Sequence, residues 1–513
     1  MLTKVDSGAL YGVDVKPVSV EVGCHDSEKF NLMVVGLPDA VIRESRERVM
    51  SALGELHCFV GTRTILVSLA PADLRKSGSL YDLPIAVGMI ASTSDRVAGA
   101  SLRDKLLVGE LGLDGCVRPI RGALAFAMLA RDLGKKYILV PKENAREASA
   151  VKGISVIGVR NLAETVAFLS DNSCIAPTEL DLGSVYADLY RGVADFVDVK
   201  GQELIKRAVT VAAAGNHHLL MVGEPGTGKS MIAKRIPGIL PPLSFEESME
   251  VTKIHSIAGT LDSRCGLLVR RPFRDPHHTV SDAGLVGGQS IPRPGELSLA
   301  HCGVLFLDEL PEFRRNALEV LRQPLENGQV TLSRASGSFV FPARVMLVAA
   351  MNPCPCGYFG SQTHFCRCNP LQIKNYRSRI SGPLLDRLDV QVEVSPLTEE
   401  LLLARRAGEN SASMREKVRR ARLIQAERYR GTGIRDNASL SGKRMDDFCA
   451  LSPSCQAQMR AILQSLRLSA RAYDRILRVA RTIADLDGGG PIQEWHLQEA
   501  AGYRLFDRQQ DAF

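Results

Sequence analysis

Between residues 192 and 395 apolar runs recur, each closing in polar residues of catalytic type: "HHLLMVGEPGTGKS" (217–230), "GVLFLDEL" (303–310), "VMLVAAMNP" (345–353) and "DVQVEV" (389–394). Runs of this form predict strands of a parallel sheet whose carboxyl ends carry a site. Upstream, residues 1–170 alternate between strand and helix signals. "KPVSVEVGC" and "RTILVSLAP" predict strands, "LPDAVIRESRERVMSALG" an amphipathic helix, and "KYILVPKEN" and "ISVIGV" short buried strands, which together make an α/β or α+β domain. The acidic, weakly periodic stretch from Ser170 to Phe196 then predicts a linker, placed at 171–191, that docks onto the next domain. Past Pro396 the pattern turns helical, in "LTEELLLARRAG", "SMREKVRRARLIQAERYRG", "SPSCQAQMRAILQSLR", "SARAYDRILRVARTIADLDG" and "QEWHLQEAAGYR", with Gly488–Gly490 and Pro491 separating the last two helices. The expected division is therefore 1–170, a linker at 171–191, a sheet domain at 192–396 and a helical domain at 397–513.

A chain of 513 residues is too long for one core and suits about three domains at roughly 150 residues each. Hydrophobic residues at 45% and charged residues at 24% favour neither disorder nor a membrane class. No apolar run reaches the roughly 18 residues that span a bilayer, and "MLTKVDSGALYG" has no apolar leader core, so a cytoplasmic protein without membrane contact is expected. Eight of the twelve cysteines stand singly, as reduced thiols do in the cytosol. The net charge of +7 says little by itself, but residues 401–481 hold 18 Lys and Arg against 7 Asp and Glu. That surplus suits either solvated basic helix faces or a surface for an anionic partner.

Gly223-Glu224-Pro225-Gly226-Thr227-Gly228-Lys229-Ser230 matches G-x4-G-K-[ST] in full, between the apolar strand "LLMV" and the helix "MIAKRI". Its glycines let backbone N–H groups curl around ATP phosphates, Lys229 supplies charge to the β- and γ-phosphates, and the Ser230 hydroxyl reaches Mg²⁺. Asp308 and Glu309 close the strand Val304–Leu307, where Asp308 is expected to hold Mg²⁺ and Glu309 to polarise the attacking water. Asn352, at the end of a further strand, is expected to orient that water. Arg387, in the turn of "SGPLLDRLDV", is placed to reach a neighbouring subunit's nucleotide, and Arg471, in "LSARAYDRILRVAR", to close over the phosphates. For either arginine taken alone, a surface salt bridge is the ordinary role.

These motifs in this order resemble the AAA+ ATPases of the Mg-chelatase/MCM branch. "RDPHHTVSDAGLVGGQSIPRPGELSLAHCGVLFLDEL" and "NPCPCG" look specifically like the Mg-chelatase-like ComM/YifB competence family, and the likeness covers nearly the whole chain. The resemblance implies an α/β architecture of a central AAA+ P-loop domain with a parallel sheet and a C-terminal helical lid. It further implies a ring, a homo-hexamer in which Arg387 acts in trans. It also implies a motor on DNA, a helicase promoting branch migration in recombination or uptake of transforming DNA. An ATP-dependent protease and a Mg-chelatase-type remodelling subunit are the alternatives. "FRDPHHTVSDAGLVGG" corresponds to the branch's helix-2 insertion, and "GQVTLSRASGSFVFPA" reads independently as a hairpin from its alternation and small turn. Such loops line the pore in related helicases, which makes His277, His278 and Arg334 the DNA-contact candidates; a hairpin that stabilises the subunit interface is the other reading.

Residues 68–90 and 113–144 resemble the Lon-protease-like α+β fold, whose proteolytic members pair a Ser nucleophile with a Lys. Ser77 and Ser79 lie in "KSGSLYD" rather than G-P-S-A-G, and "IRGALAFAM" has no lysine, so a non-proteolytic relative is expected. "NPCPCGYFGSQTHFCRCNP" adds Cys354-x-Cys356 and Cys366-x-Cys368, four thiolates that suit a structural tetrahedral Zn²⁺, with His364 as a substitute ligand and a redox pair or an iron–sulfur site as alternatives.

Overall fold

The computed structural model describes residues 2–504 apart from 59–60, 75, 77, 188, 191, 263, 289–291, 335–336, 397–407 and 467–469. Ser77, the helix expected over "LTEELLLARRA" and the Leu468–Ser469 start of "LSAR" lie outside the described residues. The chain forms two compact units. One comprises Met1–Asp188, Ser244–Val269 and Ser333–Phe341, the other Leu189–Leu243, Arg270–Leu332 and Pro342–Phe513.

The second unit is built on a five-stranded sheet in the order Phe273–Arg274, Val304–Leu307, Met346–Met351, Leu219–Gly223, Val390–Val394. Every neighbouring pair is parallel. Register places Leu307 opposite Ala349, Val222 opposite Met351 and Gly223 opposite Val394, so the polar residues that follow these strands emerge along one edge. The strands Val304–Leu307 and Met346–Met351 are buried throughout, as their unbroken apolar runs require when helices cover both faces. Leu219, Met221, Phe306 and Val348 share one core with Met414, Val418, Ile476, Val479 and Leu497 of the C-terminal helices. Each such side chain contributes about 1.5–3 kcal/mol when fully buried, which ties those helices to the sheet. Ser411–Arg428, Pro453–Ser465, Ala470–Leu486 and Glu494–Gly502 are helical, and Gly488 and Gly489, at φ +105° and +84°, separate the last two as expected. The hairpin expected before the sensor strand is present as the paired strands Gln329–Arg334 and Gly337–Pro342, of which Ser333–Phe341 is counted with the first unit. No helix among the described residues is long and apolar enough to cross a membrane.

The first unit holds a mixed seven-stranded sheet in the order Asn31–Val35, Arg63–Ala70, Asp14–Asp26, Leu2–Tyr11, Lys105–Leu107, Tyr137–Pro141, Ser155–Val159. Leu2–Tyr11 and Asp14–Asp26 form a hairpin closed at Tyr11↔Asp14, and Gly12 takes the left-handed φ of +66° that the tight turn needs. The helix Asp82–Thr93 presses on this hairpin so closely that a Cβ on Gly88 would lie 2.6 Å from Val22 Cγ2. Its first residue, Asp82, is fully buried and is held by the Arg48 guanidinium at 2.7 and 3.2 Å.

The helix Phe245–Ala258, inserted between the two nucleotide motifs and started by a Ser244–Glu247 capping box, also belongs to this unit. Its Ser256 hydroxyl accepts the Gly122 N–H at 2.9 Å and donates to Glu147 Oε1 at 3.1 Å. Burial pushes the Glu147 carboxyl up to about 7, against the hydrogen bonds from Ser256 and Asn144 that favour its charged form. A carboxyl raised in the folded state stabilises the fold fully below its unfolded pKa, and that contribution is lost as pH climbs from about 4 to about 7. Glu147→Gln should therefore melt later than the parent at pH 7.5, by the equivalent of up to about 3 kcal/mol, and the gap should close near pH 4. Melting curves of the two proteins that keep the same separation across that range would show that the fold does not raise the Glu147 pKa.

Candidate active site and metal centre

At the edge where the parallel strands end, the loop after Leu219–Gly223 turns on Gly226 and Gly228, whose φ of +79° and +88° glycine alone adopts readily. A Cβ at Gly223 would sit 2.4 Å from the Val394 carbonyl oxygen of the adjacent strand, so the motif's first glycine is set by sheet packing. Lys229 is buried and donates from Nζ to the Gly223 and Glu224 carbonyls, each at 2.8 Å, and to Asn352 Oδ1 at 3.3 Å. Burial lowers the amine's pKa, while the Asp308 and Glu224 carboxylates work to keep it charged. The Ser230 hydroxyl donates to Asp308 Oδ2 at 2.5 Å, which sets the two oxygens expected to hold Mg²⁺ side by side. The chemistry of this pair suits a hard cation that prefers oxygen ligands.

Glu309 takes a φ of +51°, a conformation rare outside glycine that costs on the order of 1–3 kcal/mol and tends to cluster at active sites. Its carboxylate lies 3.4 Å from His278 Nδ1, and the exposed His277 ring packs against His278 with centroids 4.1 Å apart and the planes tilted by 33°. The histidine pair read from sequence as a DNA contact thus stands beside the carboxylate read as the water-activating one. Arg334 ends its strand exposed.

Asp275 belongs to this edge too. It follows the two-residue strand Phe273–Arg274, and burial first, then the Asp308 charge, push its carboxyl pKa up, with Lys234 opposing. Sequence reading passed over it because a strand of two residues leaves no apolar run.

Arg387 is held within this chain, donating to the Pro383 carbonyl at 2.8 Å and Glu326 Oε2 at 2.6 Å. Arg471 reaches Asp386 Oδ2 at 3.4 Å with most of its side chain in solvent, and Arg475, one turn on and buried, reaches Asp386 Oδ1 at 3.3 Å. Asp386 and Arg475 were not among the expected site residues, although the i, i+4 spacing of Arg471 and Arg475 puts both on one helix face.

The four loop cysteines converge. Cys354 Sγ lies 3.3 Å from Cys356 and 3.8 Å from Cys366, Cys356 lies 3.6 Å from Cys366, and all four sulfurs fall within 4.8 Å of one another. Sulfurs about 2.3 Å from a tetrahedral Zn²⁺ stand about 3.8 Å apart, so the set fits that ion. Burial pushes the Cys356 thiol up, but backbone hydrogen bonds from Tyr358 and Arg367 and the Cys354 and Cys368 thiols outweigh it and bring it down to about 6. His364 stays outside the cluster: its ring stacks on Tyr358 at 4.7 Å, and its Nδ1 lies 4.0 Å from Glu224. The loop leans on the phosphate-binding loop directly, since a Cβ on Gly357 would meet Pro225 at 2.6 Å.

In the first unit Ser79, one of the two serines that the protease resemblance singles out, has a carboxylate as its partner, and the nearby Lys76 is engaged elsewhere. Ser79 donates to Glu110 Oε2, and the buried Lys76 donates to the Pro71 carbonyl.

Three family descriptions match successive stretches. "Subunit ChlI of Mg-chelatase" covers residues 20–144, "Magnesium chelatase, subunit ChlI" covers 195–402, and "Magnesium chelatase, subunit ChlI C-terminal" covers 408–504. Competence protein ComM of Haemophilus influenzae is 42% identical over 509 residues, 99% of this chain and 98% of its own. Uncharacterized protein YifB of Escherichia coli is 42% identical over 513 residues with the same coverage. The magnesium-chelatase 38 kDa subunit of Rhodobacter capsulatus is 25% identical over 347 residues, 62% of this chain and 88% of its own. With its nucleotide motifs gathered on one edge of a parallel sheet and that likeness running from end to end, the chain belongs to the ComM/YifB family of Mg-chelatase-like proteins.

Proposed function

We propose that this protein is a cytoplasmic AAA+ motor, a homo-hexameric DNA helicase that hydrolyses ATP to promote branch migration in recombination and natural transformation. The observation that carries the ATPase part is the meeting of Lys229, Ser230, Asp308 and Asn352 at one sheet edge. Mg²⁺, held by Ser230 and Asp308, supplies positive charge against the phosphate oxygens. Lys229 binds the β- and γ-phosphates, Glu309 takes up the attacking water's proton with His278 beside it, and Asn352 orients that water. Arg387 exchanges its Glu326 partner for a neighbour's nucleotide, and Arg471 leaves Asp386 for the phosphates of its own subunit. The helices from residue 397 onward act as the lid.

The DNA part is supported by the 42% identity to a competence protein and by the basic surplus over residues 401–481. His277, His278 and Arg334 remain the contacts proposed for it. The N-terminal unit is read as a Lon-protease-like shell without protease activity, since among the described residues the Ser79 hydroxyl is engaged by Glu110 and not by a lysine. The four-cysteine loop is read as a closed structural Zn²⁺ site.

ATP turnover should rise when single-stranded or forked DNA is added at low salt, and strand displacement should accompany it. Lys229→Ala should lower turnover by about 100-fold or more in the same assay. Turnover indifferent to DNA would sink the motor reading, and turnover that survives the lysine change would sink the site. Mixing Lys229→Ala with Arg387→Ala subunits, each inactive alone, should restore part of the ATPase, because mixed rings hold intact interfaces; no recovery in mixed oligomers would place Arg387 in cis. Elemental analysis of the purified chain should find about one zinc per chain, lost in Cys366→Ser. Iron in its place, or less than half an equivalent of zinc, would overturn that assignment.

A further inference from the structure

The chain averages one Asp or Glu in nine residues, 57 in 513, yet none falls in the 59 residues between Glu326 and Asp386. Lys and Arg occur there six times, four of them at Arg367, Lys374, Arg377 and Arg379, in and just behind the four-cysteine loop. Two of these four are engaged inside the fold: Arg377 donates to the Pro353 carbonyl and sits over the Phe359 ring, and Arg379 pairs with Glu312. Arg367 and Lys374 are exposed, and among the described residues neither pairs with a carboxylate.

Aromatic rings accompany this charge. Phe365 is 87% exposed although it is large and apolar, and it stands between the ligand-spaced Cys366 and His364, whose ring is stacked on Tyr358 with 25° between planes. Burying an exposed phenyl ring would be favourable, yet this one stands in solvent. Flat rings interleaved with exposed cations, on a stretch of chain that supplies no carboxylate of its own, are what an unstacked nucleic-acid strand requires.

We infer that the four-cysteine loop and the helix Pro370–Arg377 behind it contact single-stranded DNA. Phe365 and the His364–Tyr358 stack take bases, and Arg367 and Lys374 take phosphates. The inference rests on the motor reading above and adds to it a strand-gripping surface that abuts the phosphate-binding loop through Gly357 and Pro225.

The test is anisotropy of a labelled oligo-dT with the full-length protein and a non-hydrolysable ATP analogue, over a range of salt. Phe365→Ala, a change at an exposed position, should weaken binding about 10-fold while zinc content and DNA-free ATPase rate stay at the parent level. Arg367→Gln with Lys374→Gln should reduce the slope of log affinity against log salt by about 1.4. If the parent binds DNA and both variants bind it equally well with unchanged slope, this inference falls and the motor reading stands. If the parent binds no DNA, both fall. Variants that keep their DNA affinity but lose the oligomer by light scattering would overturn the inference in favour of a contact between subunits.

Discussion

The parallel register of three neighbouring strands is the constraint on which the active edge depends. Because Val222 pairs with Met351 and Leu307 with Ala349, the residues one step further, at the phosphate-binding loop, Asn352 and Asp308, have no choice but to emerge together. An antiparallel strand among them would send its polar end to the opposite edge, and a slip of one residue in the middle strand would turn Asn352 to the other face of the sheet. The hydrogen bonds from Lys229 to Asn352 and from Ser230 to Asp308 are therefore consequences of backbone pairing, and the side chains need only be of the right length.

A second network ties the sheet to the C-terminal helices. Asp389, buried at the start of Val390–Val394, lies 3.0 Å from His217 Nδ1, whose Nε2 meets the Thr482 hydroxyl at 2.7 Å. Burial would raise the Asp389 carboxyl, but Arg478 and His217 overrule it and hold the pKa well below the usual range. Thr482 and Asp485 then accept from Asn437 Nδ2, and Arg428 and Arg481 close on Asp485. Removing one member of such a buried set costs about 3–5 kcal/mol, because the charge left behind has no water to turn to. Three residues upstream of Asp389, Asp386 receives Arg471 and Arg475 from the same helix. The turn that carries Arg387 is thus anchored on both sides by Ala470–Leu486.

Much of the nucleotide edge was legible in the sequence, because its apolar runs, its glycine spacing and the polar residues ending each run are local signals. The strands at 63–70, 137–141 and 155–159 and the helix at 40–55 were legible for the same reason. What escaped depended on distant pairing. Leu2–Tyr11, for which the sequence suggested no element, becomes a strand by pairing with Asp14–Asp26. Asp275 escaped because its strand has two residues, and Asp386 because a carboxylate reads as a partner for two arginines only once the helix bearing them is folded against it. The assignment of the helix at 245–258 to the unit formed by the first 188 residues could not be read locally either, since a hydroxyl-to-carboxyl contact across more than a hundred residues has no periodicity.

The close approach of Gly357 to Pro225 has a bearing on how such a protein fails. Position 357 has no room for a side chain, so the cysteine loop serves as one wall of the phosphate-binding loop. Any chemistry that scatters the four thiols takes that wall away without touching a residue of the nucleotide motif. On the zinc and nucleotide readings proposed above, nucleotide handling would inherit the vulnerabilities of these sulfur atoms, and an oxidant or a chelator would act on it in a way that no comparison of ATP-binding residues alone would foresee.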